Sequence, residues 1–413
     1  MLLELFLFIL VGAILGIVLG LLPGLHINNL LPLFLSLIFL VPDPYYLAVF
    51  IVSTAIAQVF TSFIPSIFLG APDVDNVLSV LPGHRMLLNG RGYEAIRLTV
   101  IGGLFALIIS AISILIFGNY FSSLYNIIRP YIHFALIAVL GFMIFSEKSL
   151  KKMLFAAFII ILSGLLGILV LNSSIVPQQN VLFSVFAGLF AISTLAVSIN
   201  QKAKIPNQQI DSNIHESKLN ITKSIALAVI AGILVGLLPA IGVSQAATFM
   251  QYIGGLGEAR TFLVTLSGIN TANEVVSLNS LYLISNPRSG SSVAIERILP
   301  DIGFYDMLLF VGVMLFVSGL VVPITLYLGR TIPTFLSKVN HTTVSYLVIA
   351  FLVSIIFFLT GIYGILIGLT ATGIGLLCFY LGVNRSNCMS VLIIPSILFF
   401  SGLNPTVFTL INI

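Results

Sequence analysis

Charged side chains and cysteines are both scarce in this chain. Asp, Glu, Lys and Arg make up 7% of the 413 residues, whereas soluble globular domains average about 25%. So little charge cannot cover a water-facing surface of ordinary size, which excludes a soluble globular protein. The two cysteines, Cys378 and Cys388, have no metal-ligand spacing around them and indicate neither a disulfide framework nor a metal site.

Enzyme motifs are also absent. The sequence has no Walker-type phosphate loop, so we do not expect direct use of ATP, and it has no helical histidine pair with a glutamate for zinc. No second acid, serine–lysine pair or histidine pair accompanies Glu274, the carboxylate placed most clearly within an apolar run. We therefore expect no enzymatic activity, no metal centre and no cofactor. The net charge of +4 does not indicate nucleic acid as a partner.

Long apolar runs, by contrast, recur along the whole chain. Hydrophobic residues make up 59% of the sequence, and the mean hydropathy is +1.18. A helix needs about 20 apolar residues to cross a hydrocarbon core roughly 30 Å thick. We predict an all-α, multi-pass protein of the cell membrane, in contact with membrane lipid. The first run, "MLLELFLFIL", has no basic residues before it, so we expect a retained helix rather than a cleaved signal.

The apolar runs fall into two groups separated by a polar stretch. They lie near 2–22, 25–41, 45–69, 94–118, 131–146, 153–171 and 180–199, and then near 224–238, 241–256, 261–284, 304–328, 342–360, 361–381 and 389–405. The polar stretch between them is the one convincing linker. We predict a first transmembrane repeat at 1–199, a cytoplasmic linker at 200–223 and a second transmembrane repeat at 224–413.

The two halves resemble each other. The segment "GIVLGLLPGLHINN" matches the later "GILVGLLPAIGVSQ", an alignment that pairs Pro23 with Pro239. Further on, Pro72 pairs with Pro287 at nearly the same offset along the chain. Two anchor points at nearly one offset are hard to obtain by chance, so the sequence predicts a duplication.

Loop charges predict that the two repeats are inverted. Lysines in "SEKSLKK" and in the central linker indicate cytoplasmic loops, whereas the uncharged "NSSIVPQQ" indicates an external one. Seven segments precede the linker, an odd number, so the two halves start on opposite sides of the membrane. One conflict remains, because this topology places Arg288 and Arg297 outside, against the positive-inside rule.

Paired Pro/Gly interruptions in inverted repeats are a sequence sign of a secondary transporter. A helix broken at membrane depth exposes backbone amides and carbonyls, which is tolerated only against protein or a wet cavity. Its freed N-terminus can receive an anion, and its freed carbonyls can coordinate a cation such as Na⁺. The candidate residues at the two breaks, which lie in full spans or in re-entrant hairpins, are Pro23, Gly24, Asn28, Asn29, Pro239, Ser244 and Gln245.

Glu274 is the strongest single candidate for an ion or substrate site. It lies 14 residues after Arg260, about 21 Å along a helix, and a carboxylate at that depth usually marks an ion or substrate path. Asn270, Thr271 and Asn273 flank it and could share a ligand. The alternative is that Glu274 is a buried structural hydrogen-bonding group.

Three further groups are weaker candidates. Gln58 pairs with Asn273 in the repeat, but amides also hold membrane helices together. Asp73, Asp75 and Asn76 suit a cation, although an Asp that follows a proline is also an ordinary helix cap. The stretch "SNPRSGSS" in the second half could bind an anion through a backbone nest or form a flexible turn. The sequence leaves each of these alternatives open.

Several motifs resemble the large membrane subunit of tripartite tricarboxylate transporters, in its compact archaeal branch. "GIVLGLLPGLHINNLLPLFL" and "GILVGLLPAIGVSQAATFMQYI" are similar to the paired proline-glycine segments of that family. "SGINTANEVVSLNSLYL" and "FLGAPDVDNVLSVLPGHRMLLNGRGYEAIR" resemble two other stretches of the family. The chain is shorter than the usual subunit, and Ala240 follows Pro239 where the family favours Gly. The resemblance implies an ion-gradient-driven transporter with a small membrane subunit and an extracytoplasmic solute receptor as partners.

The sequence and the resemblance together lead to one expected function and one alternative. We expect a secondary active transporter that imports an organic anion, such as a tricarboxylate, coupled to Na⁺ or H⁺ by alternating access. The alternative is a translocase of lipid or lipid-phosphate head groups, with His84, Arg85 and Arg288 as anion contacts. The sequence leaves the substrate, the coupling ion and the oligomeric state open, with a homodimer as one option.

Overall fold

The computed structural model describes most of the chain as helices. It describes residues 2–22, 27, 41–70, 80–147, 149–173, 175–176, 178–201, 206, 208–210, 214–237, 242–254, 258–336 and 341–403. Helices are the only regular secondary structure in these residues. The prediction of an all-α protein is confirmed.

Two compact units are built from pieces of both halves of the chain. The first comprises 1–125 with 204–339, and the second comprises 126–203 with 340–413. The first unit contains α1 (Leu2–Leu21), α2 (Pro44–Thr61), α3 (Phe63–Phe68), α4 (Val80–Leu88), α5 (Gly92–Ile128, which runs past the boundary), α10 (Lys218–Leu237), α11 (Val243–Gly254), α12 (Ala259–Leu278), α13 (Ser280–Ile284), α14 (Gly290–Ile298) and α15 (Phe304–Leu336). The second contains α6 (Ile132–Phe145), α7 (Leu150–Leu171), α8 (Gln178–Phe186), α9 (Ser193–Gln201), α16 (His341–Leu381) and α17 (Ser390–Phe400). Division into sequence repeats at 1–199 and 224–413 stays a prediction.

Seven segments among the described residues are long and apolar enough to cross a membrane. They are Leu2–Leu21, Pro44–Phe68, Gly92–Phe145, Leu150–Leu171, Lys218–Leu237, Phe304–Pro333 and Ser345–Leu381. α12 is 20 residues long but more polar and is not among them. With these segments the chain is a multi-pass membrane protein, as the composition predicts.

Local sequence accounts for where several helices begin. The side chain of Asp43 accepts a hydrogen bond from the N–H of Tyr45, and Pro44 occupies the first position of α2, where a missing N–H has no cost. Ser149 caps α7 in the same way, by accepting from the N–H of Lys152. These caps satisfy N–H groups that a helix start leaves without a partner.

In the first unit, α1 packs closely along α2 through a row of glycines. A Cβ on Gly16 would overlap the carbonyl oxygen of Thr54, and a Cβ on Gly20 would lie 2.9 Å from the carbonyl oxygen of Gln58. The contact partners advance along both helices together, so α1 and α2 run parallel. Small residues permit this approach of two backbones, as is common where membrane helices pack.

The second half repeats this contact in α10 and α12. A Cβ on Gly232 would lie 2.8 Å from the carbonyl oxygen of Ile269, and one on Gly236 would lie 3.1 Å from that of Asn273. These two glycines align with Gly16 and Gly20 in the sequence repeat, so the glycines paired in the sequence make equivalent contacts. The parallel pair α1–α2 therefore corresponds to the parallel pair α10–α12.

The two pairs run in opposite directions within the first unit. α5 runs parallel to α12. Gly102 lies against Val264 in the first half of both helices, and a Cβ built on Gly118 would lie 3.6 Å from Leu283 Cδ2, just beyond the end of α12. α2 and α3 together run antiparallel to α5, because the Phe60 ring lies against Gly103 and the Phe68 ring, further along, lies against Gly92, nearer the start of α5. Opposite directions are what an inverted repeat requires of these helices; inversion of the complete halves stays a prediction.

The second unit contains two irregular helices in contact. Residues 187–192 between α8 and α9 form a π-helical turn, and Gly188 in this turn packs against Gly368 of α16. α16 is interrupted at Gly361, whose φ of 66° and ψ of −160° are not helical. The interruption falls where the sequence separated the segments 342–360 and 361–381. Ser184 and Thr360 share a hydrogen bond of 3.1 Å beside it.

Some boundaries differ from those expected. α5 and α15 extend to Ile128 and Leu336, several residues beyond the expected ends at 118 and 328, because polar residues at their ends continue the helix outside the apolar run. α10 begins at Lys218, within the expected linker. Another part of this linker is bound to the protein, since the Gln208 amide oxygen accepts from the N–H of Gly92 at 2.8 Å.

The glycine contacts generate a stability prediction. Gly16→Leu and Gly232→Leu should each lower the free energy of unfolding by about 1–3 kcal/mol, because the added side chain overlaps the facing helix. The measurement is thermal unfolding in detergent, followed by circular dichroism. Gly312→Leu is the matched control, because a Cβ there meets nothing within 4 Å. Equal losses in all three variants would contradict the packing.

Candidate functional site

The structure describes five of the residues predicted to bind substrate or ion: Gln58, Asn270, Thr271, Asn273 and Glu274. The positions Pro23, Gly24, Asn28, Asn29, Asp73, Asp75, Asn76 and Pro239 lie outside the described residues. Ser244 and Gln245 lie in the first turn of α11, and their side chains lie outside the described part. The roles of these ten residues stay predictions.

Gln58 is bound to the chain that follows the first predicted break. Its Oε1 accepts a hydrogen bond of 2.9 Å from the backbone N–H of Ile27, a residue only 1% exposed. Gln58 itself is 2% exposed on α2, whose residues from Tyr46 to Thr61 are all buried. A buried N–H that cannot reach water needs an acceptor, and this side chain supplies one a few residues after Pro23 and Gly24 in the sequence.

Asn273 and Glu274 lie side by side on the most polar buried helix. Every residue of α12 from Thr261 to Leu278 is buried except Asn273, which is partly exposed. Glu274, next to it, is 7% exposed. The side chain of Asn273 accepts a hydrogen bond of 3.3 Å from Ser277. Asn273 is therefore the one partly exposed position of α12 between Thr261 and Leu278, and it lies directly beside the buried carboxylate of Glu274.

Asn270 and Thr271 are buried one turn before this position. Asn270 is 3% exposed and Thr271 is 1% exposed. The Thr271 hydroxyl donates to the backbone oxygen of Ser267 at 2.9 Å, within the same helix. That hydroxyl still has a lone pair for a ligand. Because its hydroxyl bonds within α12, Thr271 forms part of the surface of that helix beside Asn273.

Gln58 and Glu274 lie at a similar level along the helices of the first unit. Phe60 of α2 and Thr271 of α12 both lie against Gly103 of α5, at 3.0 Å and 2.8 Å from a Cβ built on that glycine. Because α2 and α12 run in opposite directions, the steps from Phe60 to Gln58 and from Thr271 to Glu274 lead the same way. The fold thus brings Gln58 level with Glu274, although the two lie in opposite halves of the sequence.

A cluster that the sequence did not identify lies at the start of α12. Glu94, in the first turn of α5, is 4% exposed and accepts from Arg260 Nε at 2.8 Å and from the N–H of His215 at 2.9 Å. Arg91 Nη1 lies 3.7 Å from the same carboxylate. These contacts join α5, α12 and the central linker. Pairing between residues so far apart in sequence leaves no local signal.

His84 and Arg85, the anion contacts of the alternative function, lie on α4. A ring nitrogen of His84 lies 3.3 Å from the carbonyl oxygen of Ile67. Burial lowers the pKa of His84 below its usual value, although that backbone contact opposes the shift. Burial therefore favours the neutral form of the ring, whereas Arg85 is exposed. A neutral ring is a weak contact for a phosphate group.

The Gln58 bond generates a second prediction. Gln58→Leu should lower the free energy of unfolding by about 1–3 kcal/mol, because it leaves the buried N–H of Ile27 without its acceptor. Thr54→Val is the matched control, since its hydroxyl bonds to Phe50 within its own helix. Thermal unfolding of both variants in detergent measures the difference. A Gln58→Leu protein as stable as the control would show that the bond has no structural role.

Comparisons with known proteins agree with the motif resemblance. The model of the tripartite tricarboxylate transporter TctA family matches residues 6–390. An uncharacterized archaeal protein, from Methanocaldococcus jannaschii, is 35% identical over 404 residues, which cover 95% of this chain and 98% of the relative. No solved structure matches the chain. The chain therefore belongs to the tripartite tricarboxylate transporter TctA family and is a multi-pass membrane transport protein.

Proposed function

We propose that this protein is a secondary active transporter that imports an organic anion with carboxylate groups, coupled to Na⁺ or H⁺. Family membership supports the class of substrate. The observation that carries the site is the partial exposure of α12 at Asn273, directly beside the buried Glu274. A carboxylate held inside a membrane protein is costly, and in transporters it commonly serves an ion or proton path.

Glu274 is the coupling group in this proposal. An ionised carboxylate next to the amides of Asn270 and Asn273 offers the oxygen ligands that a hard cation prefers. The same carboxylate could instead take up a proton and become neutral. Either event removes a buried negative charge, and so prepares the site for an anion.

The anion would bind at the two predicted helix breaks. α11 begins at Val243, four residues after Pro239, so its first N–H groups and the positive end of its dipole follow the second break directly. Ser244 and Gln245 occupy its first turn. In the first half, Asn28 and Asn29 hold the corresponding positions after Pro23. Asp73, Asp75 and Asn76 remain candidate cation ligands in this proposal.

Alternating access follows from the helix pairs in this proposal. Two helix pairs of equivalent packing and opposite direction can exchange conformations, which opens a central site to each side in turn. The corresponding glycine contacts of α1–α2 and α10–α12 support such an exchange. A small membrane subunit and an extracytoplasmic solute receptor are the partners that the family implies.

The lipid head-group translocase receives less support. It requires cationic anion contacts, and burial disfavours the charged form of His84 by lowering its pKa. Of the two arginines, Arg85 is exposed, whereas two guanidinium nitrogens of Arg288 are buried. Competition of soluble carboxylates for transport would separate the two functions.

The role of Glu274 can be tested by uptake of citrate into proteoliposomes with imposed gradients. Glu274→Gln should reduce gradient-driven uptake by about 100-fold or more, because it removes the charge that the coupling ion neutralises. Glu258→Gln is the matched control, since that carboxylate is 67% exposed and lies at the start of the same helix. Uptake by Glu274→Gln equal to that of the control would refute the assignment.

The coupling ion can be identified on the same variants without transport. Na⁺ binding at Glu274 should raise the unfolding temperature of the wild type in Na⁺ relative to choline at equal ionic strength, because a ligand of the folded state stabilises it by mass action. Glu274→Gln should lose that increase. If Na⁺ has no effect on either protein, coupling is to protons, and wild-type uptake should then follow an imposed pH gradient.

The helix breaks generate a further expectation. Pro23→Ala and Pro239→Ala should each reduce uptake, because a continuous helix withdraws the backbone groups that would bind the ligand. Pro333→Ala, which changes a proline within α15 far along the chain from the site, is the control. The assignment of the site would be wrong if both break variants transported like the control.

A further inference from the structure

Buried polar atoms without partners are concentrated in the connection from α12 to α14. In the described part of the chain, 12 buried side-chain nitrogen or oxygen atoms have no hydrogen-bond partner, and five of them lie between residues 279 and 291. They belong to Asn279, Ser280, Arg288 and Ser291. Buried polar groups are nearly always paired in native proteins, so the unpaired donors among them, on Ser280, Arg288 and Ser291, indicate that an acceptor is absent. The unpaired Asn279 Oδ1 accepts hydrogen bonds and does not belong to this set.

Arg288 is the charged member of this group. Its Nε and Nη2 are both buried without a partner, and the guanidinium lies over the ring of Tyr125, 4.6 Å from the ring centroid. Among the described residues, no carboxylate lies within ion-pair distance of it. Arg288 as a whole is partly exposed, but withdrawing two guanidinium nitrogens from water without an acceptor is costly, and a ring face compensates the charge less well than an anion does.

Neighbouring groups add further donors. Ser289 and Ser292 form a capping box at the start of α14, so these two side chains bond to each other and to the backbone. The N–H groups of Gly290 and Ser291, at the first two positions of this helix, have no acceptor in the described residues, as expected for a helix start. Ser291 is 1% exposed, and its hydroxyl is unpaired within the described part of the chain. The start of α14 therefore leaves the N–H groups of Gly290 and Ser291 and the Ser291 hydroxyl available to a ligand, within three residues of Arg288 in the sequence.

The position of Arg288 argues that this arginine does not serve to orient a loop relative to the membrane. The loop charges place it outside, where the positive-inside rule expects few cations. A topology-setting arginine would also extend to water, whereas two of the three nitrogens of this guanidinium are buried. Arg297, later on α14, is exposed to solvent, as arginines at membrane protein surfaces usually are.

We propose that Arg288, with the start of α14, binds a carboxylate group of the transported anion. Guanidinium is well suited to carboxylate, because its N–H groups match the two oxygens. The carboxylate would pair with the guanidinium while the ring of Tyr125 stays on its face. This inference rests on the proposed transport of an organic anion, and it adds a contact remote in sequence from the helix breaks.

The chain offers a direct probe of this site, because it contains no tryptophan. Tyr125→Trp would place the protein's one tryptophan, which can be excited selectively over the tyrosines, against the guanidinium of Arg288. Citrate, succinate and phosphate are titrated into this protein in nanodiscs of phosphatidylcholine. We expect citrate to change the fluorescence saturably, Arg288→Gln in the same background to lose the response, and Arg297→Gln to keep it.

A second measurement avoids the tryptophan substitution. Stabilisation of the otherwise wild-type protein by citrate is compared among Arg288→Gln, Arg288→Lys and Arg297→Gln. We expect the apparent affinity to fall at least about tenfold in Arg288→Gln, since a hydrogen bond to a charged group contributes that much or more. Arg288→Lys should lie between, and Arg297→Gln should match the wild type.

The outcomes separate this inference from the transport function. Arg288-dependent citrate binding without uptake, in proteoliposomes that also contain the proposed partner subunits, would support the site and refute the transport proposal. Equal citrate affinity in the Arg288→Gln and Arg297→Gln proteins would overturn the site, whatever the uptake. A response to phosphatidylglycerol in the nanodiscs but not to citrate would also overturn it, because the occupant would then be a lipid phosphate.

Discussion

The structure depends on one constraint, which is that backbone N–H groups away from water must find acceptors inside the protein. An intact helix pairs these groups internally, whereas a helix broken within the membrane leaves some of them unpaired. Each break therefore needs side chains that bond to the exposed groups. The bond from the N–H of Ile27 to Gln58 pairs a buried group of this kind a few residues after the break predicted at Pro23 and Gly24. Its acceptor lies on α2, whose residues from Tyr46 to Thr61 are all buried.

The glycine contacts of α1–α2 recur in α10–α12, but the amides beside them differ in exposure. Gly236 contacts α12 at Asn273, as Gly20 contacts α2 at Gln58. Gln58 is almost completely buried and holds the backbone, whereas Asn273 is partly exposed and adjoins Glu274. The two equivalent helix pairs thus carry a buried amide that bonds the backbone in one case and a partly exposed amide beside a carboxylate in the other. In the proposed transporter, this difference would leave one polar centre, at Asn273 and Glu274.

The sequence predicted the elements whose signals are local. Apolar runs identified the membrane helices, and Pro/Gly spacing with a fixed offset identified the equivalent glycines. It did not predict the pairing of Glu94 with Arg260 and His215, because these contacts depend on how the halves pack together. Nor did it distinguish Gln58 from Asn273, since exposure is a property of the packed unit. Nor did it predict that two guanidinium nitrogens of Arg288 are buried, because their burial also depends on packing.

Accessibility of Asn273 tests the central claim most directly. The native Cys378 and Cys388 are both buried, so a cysteine introduced on α12 can be labelled with little background by a membrane-impermeant thiol reagent. The measurement is the labelling rate of Asn273→Cys, with Val276→Cys at a buried position as the control, with and without citrate and Na⁺. We predict that Asn273→Cys alone is labelled and that citrate with Na⁺ protects it. Absence of labelling, or a rate that citrate and Na⁺ leave unchanged, would contradict a substrate site beside Glu274.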